Sequence, residues 1–203
     1  MTPAAKATMR ALIVDDEQNA RRKVRALLKA YDWITVIGEA RDGIEAVEQA
    51  LKQRPDVLFL DIDMPCLDGF EVLEYLNCRE LNPNVVFITA HDQFAMNAFD
   101  VHAVDYLLKP LLKDRFSTSM EKLQKMGRTV PEGLAESYRE QVPRKQRLLV
   151  KTGNRFQVIP YHQIDCIVAS EHLSEVWTQK GSYLCEDSLD KLEATLPTED
   201  FFR

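Results

Sequence analysis

The sequence predicts an α/β chain in which a doubly wound domain on a five-stranded parallel sheet precedes a smaller, mainly β domain. Short apolar runs alternate with amphipathic stretches from residue 10 to residue 126. Three of these runs are nearly all apolar, as is typical of strands buried on both faces. After residue 146 the pattern changes to short β-like segments. Strict alternation of strands and helices favours right-handed crossovers and a parallel sheet.

Five strands and five helices are predicted in the first domain. The strands are RALIV (10–14), ITVIGEA (34–40), DVLFL (56–60), NVVFIT (84–89) and DYLLK (105–109). The helices carry apolar residues at helical spacing and cover 17–31, 42–53, 69–78, 93–101 and 112–126.

The predicted domain boundaries are 1–126, a linker over 127–146, and 147–203. The linker holds two prolines and two glycines and has little apolar periodicity. Gly153-Asn154 lies between two strand-like runs and predicts a hairpin. Further strands are expected at 166–170, 175–179 and 182–186, and then a helix that Ser188 caps and Pro197 ends.

Composition excludes several classes of protein. The net charge of −6 disfavours a surface that is basic throughout. The four cysteines are widely spaced, which indicates reduced thiols in a cytosol rather than a disulfide framework. No run of 18 apolar residues occurs, so neither a membrane span nor secretion is expected, and a cytoplasmic location is predicted.

Polar side chains stand at the ends of four predicted strands. Asp15 and Asp16 follow the first strand, Asp61 follows the third, Thr89 ends the fourth and Lys109 ends the fifth. Because the carboxyl ends of parallel strands meet at one edge of a sheet, we expect these five residues to converge there.

This combination of residue types predicts phosphoryl chemistry at a metal ion. Clustered carboxylates raise one another's pKa, and a hard divalent cation such as Mg²⁺ relieves their repulsion. A lysine ammonium and a threonine hydroxyl are suited to hold a phosphoryl oxygen. An aspartate can itself be the nucleophile, and Asp61 fits because the strand fixes its backbone.

Each residue alone also has an ordinary interpretation. The acids at 15–17 suit the start of the helix that follows, since acids favour that end. Asp63 and Asp68 suit a loop or turn, with Asp68 starting the next helix. Thr89 alone is an ordinary strand residue and Lys109 alone a solvated lysine. Their joint placement at four strand ends favours the site.

Four segments carry a resemblance to a known family. LIVDDE, FLDIDMPCLDGFEVL, VVFITAHD and AVDYLLKP resemble the receiver domain of bacterial two-component response regulators, a flavodoxin-like fold, over about residues 9–126. The resemblance implies that Asp61 is the phosphoacceptor. It also implies that Asp15, Asp16 and Asp61 hold Mg²⁺ together with the main-chain carbonyl of Asp63.

The resemblance assigns further roles in the same site. Lys109 would pair with the phosphoryl group, and its bond to Pro110 would be cis. Thr89 and Tyr106 would form a switch pair that responds to phosphorylation. A sensor histidine kinase would be the phosphoryl donor, and the surface over 93–126 would pair in a phosphorylation-dependent homodimer. A receiver of this kind is a regulator and not an enzyme.

The segment from Arg147 onward resembles the start of a LytTR-type DNA-binding domain. The resemblance implies DNA as a partner, with Glu171, His172 and Ser174 in a loop that contacts a groove. Residues 147–203 contain six basic and nine acidic residues, a balance that disfavours phosphate contacts. The strands that complete this module would lie beyond Arg203, so the chain is expected to be either a fragment or a protein with an incomplete output domain.

Three functions remain open at this point. The first is a phosphorylation-controlled transcription regulator. The second is a receiver-based protein-interaction switch without productive DNA binding. The third is a magnesium-dependent phosphatase with an aspartyl-phosphate intermediate, in which Asp63 would be the second acid.

Overall fold

The computed structural model describes residues 8–77, 79–90, 103–126, 147–152, 155–170, 173–185, 187–197 and 201. The chain divides into two compact units, Met1–Val142 and Pro143–Arg203. The predicted linker over 127–146 and the predicted helix over 93–101 lie outside the described residues.

The first unit contains a five-stranded parallel sheet, as the sequence predicts. The strands are β1 (Met9–Val14), β2 (Ile34–Ala40), β3 (Val57–Leu60), β4 (Asn84–Thr89) and β5 (Asp105–Leu108). Their order in the sheet is β2-β1-β3-β4-β5, and every neighbouring pair is parallel. Each predicted strand is confirmed to within one residue at either end.

Four described helices cover the sheet: α1 (Gln18–Leu28), α2 (Gly43–Gln53), α3 (Gly69–Asn77) and α4 (Lys113–Met126). Helix α1 is three residues shorter at its end than predicted. The amides of Ala30 and Tyr31 donate to carbonyls three residues back, at 3.3 and 3.0 Å. These tighter bonds satisfy the last carbonyls and end the helix.

Both faces of the central strands of the sheet are buried. Alternate strand residues such as Ile13, Phe59 and Val86 form one apolar cluster with side chains of α1 and α4, including Val24 and Phe116. The residues between them face the other way, where the ring of Phe87 lies 5.1 Å from that of Phe70 on α3. Every residue of β3 and β4 is buried, which confirms the two-sided burial predicted from their apolar runs.

The second unit is mainly β. Strands β6 (Arg147–Thr152) and β7 (Arg155–Pro160) form an antiparallel hairpin, and β8 (Ile164–Ser170), β9 (Leu173–Thr178) and β10 (Gly181–Cys185) form a second antiparallel sheet. Its core contains residues from both sheets and from helix α5 (Leu189–Thr195).

The predicted cap of α5 is only partly right. Ser188 occupies the cap position and its carbonyl accepts from the amide of Leu192 at 3.0 Å, but its side chain makes no capping hydrogen bond. Each helix in the described ranges falls short of the length and apolar character that crossing a bilayer needs.

Candidate functional site

Backbone hydrogen bonds extend the sheet past the strand ends and fix the residues that follow. The amide of Asp61 donates to the carbonyl of Val14 at 2.9 Å, and the amide of Lys109 donates to that of Thr89 at 2.8 Å. The amide of Asp15 donates to the carbonyl of Ala40, the last residue of β2, at 3.1 Å. Because β1 and β3 are neighbours, Asp15 and Asp61 lie side by side at one edge of the sheet.

Three carboxylates meet at this edge. Asp15, Asp16 and Asp61 each offer an oxygen, and these oxygens lie within 4.8 Å of one another. Asp15 and Asp61 are buried, at 2% and 3% exposure, whereas Asp16 is exposed. The Nζ atom of Lys109 lies 2.9 Å from Asp15 Oδ2 and 2.7 Å from Asp61 Oδ2. One ammonium therefore forms ion pairs with two buried carboxylates, and a third carboxylate lies beside them.

The electrostatics of the cluster favour an additional cation. Burial raises the pKa of Asp15 and of Asp61 above the ordinary value, although hydrogen bonds and charge from Lys109 act in the opposite direction. Burial acts to lower the pKa of Lys109, but its bonds to Asp61 and Asp15 outweigh burial and raise that pKa, which keeps the ammonium charged. The single positive charge of Lys109 thus only partly neutralises the negative charge of the clustered carboxylates.

The donor set at this edge fits Mg²⁺. Carboxylate oxygens are hard ligands, and magnesium is commonly held by one or two carboxylates together with water or phosphate oxygens. Asp63 follows in the adjoining loop, where its amide donates to Asp61 Oδ1 at 3.3 Å and its side chain is exposed.

The other predicted residues of the receiver site lie on the two neighbouring strands. Thr89 ends β4 and is fully buried. Tyr106 lies on β5, partly buried, with its ring 6.3 Å from that of Phe87. The bond between Lys109 and Pro110 is cis, as the resemblance implies.

Asp68 has the ordinary role that its position before a helix suggests. Its Oδ1 accepts from the amides of Phe70 at 3.1 Å and Glu71 at 2.9 Å. Glu71 Oε2 in turn accepts from the amide of Asp68 at 2.7 Å. This reciprocal cap fixes the start of α3 and thereby the end of the loop that follows Asp61.

Two glycines that the sequence interpretation overlooked enclose this loop. A Cβ on Gly69 would lie 2.4 Å from the carbonyl oxygen of Asp61, and one on Gly43 would lie 2.4 Å from that of Leu67. Only glycine permits such close approach to backbone atoms. The Asp-Gly pairs at 42–43 and 68–69 were the available signal, but they also suit ordinary helix starts.

The structure does not support the predicted DNA contact of Ser174. This residue lies on β9 and is fully buried, because it shares a face of the sheet with Val176, which packs in the core of the unit. Glu171 and His172 lie outside the described residues.

Known proteins match this chain both over its first part and over nearly its whole length. Residues 11–121 match the family model of the response regulator receiver domain. The chain is 33% identical over 196 residues to the sensory transduction protein LytT of Enterococcus faecalis, covering 96% of this chain and 79% of the relative. It is 45% identical over 116 residues to the transcriptional regulatory protein BtsR of Salmonella typhi, covering 57% of this chain and 48% of that relative.

Solved structures of response regulator domains resemble part of this chain. The response regulatory domain of mrkE from Klebsiella pneumoniae is similar with a TM-score of 0.54 and 32% identity, covering 58% of this chain and 96% of that one. The receiver domain of AraT from Geobacillus stearothermophilus gives a TM-score of 0.50 and 36% identity, covering 59% of this chain and 95% of that one.

Proposed function

The chain belongs to the response regulator receiver family, and from that premise we propose that Asp61 accepts a phosphoryl group from the phosphohistidine of a sensor kinase. The observation that carries this proposal is the contact of one ammonium, Lys109 Nζ, with two buried carboxylates at the ends of β1 and β3, at 2.9 and 2.7 Å. One ammonium carries a single positive charge, whereas three carboxylates cluster beside it. The excess of acids supports a site for a further cation and an anionic group.

The transfer proceeds in line. An oxygen of the Asp61 carboxylate attacks phosphorus, so that a P–O bond forms while the P–N bond to the donor imidazole breaks and the imidazole keeps the electron pair. Lys109 provides positive charge beside Asp61 for the phosphoryl oxygens. The backbone bond from Asp61 to Val14 holds the nucleophile in place.

Asp15, Asp16 and Asp61 would hold Mg²⁺ through their carboxylates, with the carbonyl of Asp63 as a further ligand. When bound, the ion supplies positive charge that neutralises the phosphoryl oxygens. Without it, the acids at this edge would repel an incoming phosphoryl group.

Thr89 and Tyr106 are proposed to change position when Asp61 is phosphorylated and so to carry a conformational change away from the site. Thr89 lies at the end of β4, one strand from Asp61, and Tyr106 lies on the next strand, β5. Movement of the hydroxyl toward the phosphoryl group would change the space available to the aromatic ring. The surface over 93–126 would then pair in a homodimer.

The output is proposed to be control of transcription through DNA binding by the second unit, in the cytoplasm. The match to LytT extends over 96% of this chain and so includes that unit, and BtsR, which matches over 57% of this chain, is named a transcriptional regulatory protein. Glu171 and His172 remain the proposed DNA contacts of this unit.

The test is phosphorylation by a small acyl-phosphate donor with Mg²⁺, followed by intact mass. The wild type should gain one phosphoryl group and Asp61→Asn should gain none. Asp32→Asn is a matched control, because this exposed acid precedes β2 at the opposite end of the sheet. Labelling of Asp61→Asn equal to the wild type would disprove the assignment, and rapid hydrolysis of phosphomonoesters would favour a phosphatase.

A further inference from the structure

Arg21, in the first turn of α1, contacts the backbone of the acidic pair. Its Nη1 atom donates to the carbonyl of Asp15 at 2.7 Å and to that of Asp16 at 3.2 Å. Its side chain is only 13% exposed. In the sequence Arg21 is one of several basic residues on an amphipathic helix, and nothing in the spacing distinguishes it from its neighbours.

These two carbonyls lie just before the helix. The first helical bond of α1 runs from the amide of Arg21 to the carbonyl of Glu17 at 3.2 Å, so the carbonyls of Asp15 and Asp16 precede the helical ladder. Asp15 is also buried, and a buried carbonyl is normally hydrogen-bonded. One guanidinium therefore fixes both peptide groups that bear the proposed metal ligands.

Glu39 on β2 holds the guanidinium in turn. The Nε atom of Arg21 lies 3.3 Å from Glu39 Oε2, and Arg25 binds the other oxygen of the same carboxylate. Burial acts to raise the pKa of Glu39, but hydrogen bonds and charge from Arg25 and Arg21 outweigh it, so that pKa is lowered and the carboxylate stays ionised. The rigid fork of arginine can bond a carboxylate and carbonyls together, whereas a lysine presents a single ammonium.

We propose that Arg21, anchored by Glu39, is a positioning residue that preorganises Asp15 and Asp16 for Mg²⁺. This inference rests on the proposed function, since it assigns a supporting role at the same metal site. Groups that orient metal ligands without touching the metal typically alter affinity by about 10- to 100-fold when removed.

Arg25 provides a matched control within the same network. It shares Glu39 with Arg21 and carries the same charge, but the contact described for it is with Glu39 and not with the acidic pair, and its side chain is 45% exposed. Arg21→Gln and Arg25→Gln therefore each remove one positive charge and one partner of Glu39, and differ in the contacts to the two carbonyls.

The experiment measures Mg²⁺ affinity of the full chain by calorimetry. It also measures the shift of the thermal unfolding midpoint on adding Mg²⁺, which reports the affinity of the folded state. We expect Arg21→Gln to weaken Mg²⁺ binding by about 10-fold, and Arg25→Gln to stay within about twofold of the wild type. The Mg²⁺ affinity of Arg21→Lys should lie between those of the wild type and Arg21→Gln, because the positive charge remains but the contact with two carbonyls is lost.

The outcomes separate this inference from the function beneath it. Equal affinities for Arg21→Gln and Arg25→Gln would overturn the positioning role while leaving the metal site intact. A wild type that binds no Mg²⁺ would overturn the metal assignment and this inference together. If Arg21→Gln does not fold, the comparison of Arg21→Lys with Arg25→Lys decides, and equal affinities there would again overturn the role.

Discussion

Removal of the Lys109 ammonium should destabilise the metal-free protein by about 3 kcal/mol at neutral pH. Lys109→Met retains an apolar stem of similar length but removes the cation that contacts Asp15 and Asp61 at 2.9 and 2.7 Å. Loss of one partner of a buried ion pair typically costs about 3–5 kcal/mol. We take the lower end, because the lysine side chain keeps 16% exposure and its own desolvation cost disappears in the variant.

The pH dependence of this loss has a definite sign. Without Lys109, the pKa of Asp15 and of Asp61 rises further above the ordinary value of 3.8. A carboxyl group whose pKa is higher in the folded state binds more protons there, so stability falls as pH rises from the unfolded pKa through the folded one. The deficit of the variant should therefore be greatest at neutral pH and shrink as the pH falls toward 3.8. Added Mg²⁺ should also reduce it, because the ion replaces the missing charge.

Urea unfolding in EDTA from about pH 5 to about pH 8 would measure the deficit, with Lys122→Met as the control. Lys122 Nζ lies 2.9 Å from Asp105, but the lysine side chain is 49% exposed, and Asp105 still contacts Arg115 when Lys122 is removed. The free energy of unfolding of this control should therefore change by no more than about 0.5 kcal/mol. Equal losses for the two variants, or a deficit that does not depend on pH, would refute the reasoning.

Three further predictions concern stability and are checked by denaturant unfolding. Gly43→Ala should lower the free energy of unfolding by about 2 kcal/mol, because the new Cβ meets backbone atoms of the loop after β3. Gly38→Ala should lower it by less than about 1 kcal/mol, because its new Cβ meets mainly the ends of glutamine side chains. Equal losses for the two variants would contradict the close packing at Gly43. Asp68→Ala should cost about 1 kcal/mol through its lost cap, and Ser188→Ala, whose side chain makes no capping bond, less than half as much; a reversed order would contradict the cap geometry. Burial acts to raise the pKa of Asp105, but its bonds to two cations outweigh burial and lower that pKa below 3.8. The stability that Asp105 contributes is therefore present above pH 3.8 and is lost as the pH falls through the pKa of the folded state. Asp105→Asn should therefore lose less stability on acidification than the wild type, and an unchanged acid limb would contradict this.

The sequence predicted the fold because its signals are local. The apolar runs at β3 and β4 are continuous since both faces of a parallel sheet are covered, and this burial can be recognised without knowing which strands are neighbours. The convergence of Asp15, Asp61 and Lys109 could also be anticipated, because all parallel strands end at one edge of the sheet. The cap formed by Asp68 depends on its spacing to Glu71, which is likewise a local signal.

Contacts between distant segments were not available from these patterns. Arg21 and Arg25 both lie on one amphipathic helix, so residue type and spacing do not separate them. Ser174 was expected in a loop but is buried on β9, because the fold packs the face of β9 that carries Ser174 and Val176 against the core of the unit.

Residue types and their order along the chain thus determined the sheet, the helices and the polar side chains at the strand ends. Tertiary structure alone decided that β1 pairs with β3, so that Asp15 and Asp61 share one ammonium. It also decided that the guanidinium of Arg21 reaches the carbonyls of Asp15 and Asp16. The physical reason is that strand order and side-chain direction follow from burying the faces of all elements at once, whereas periodicity reports each element alone.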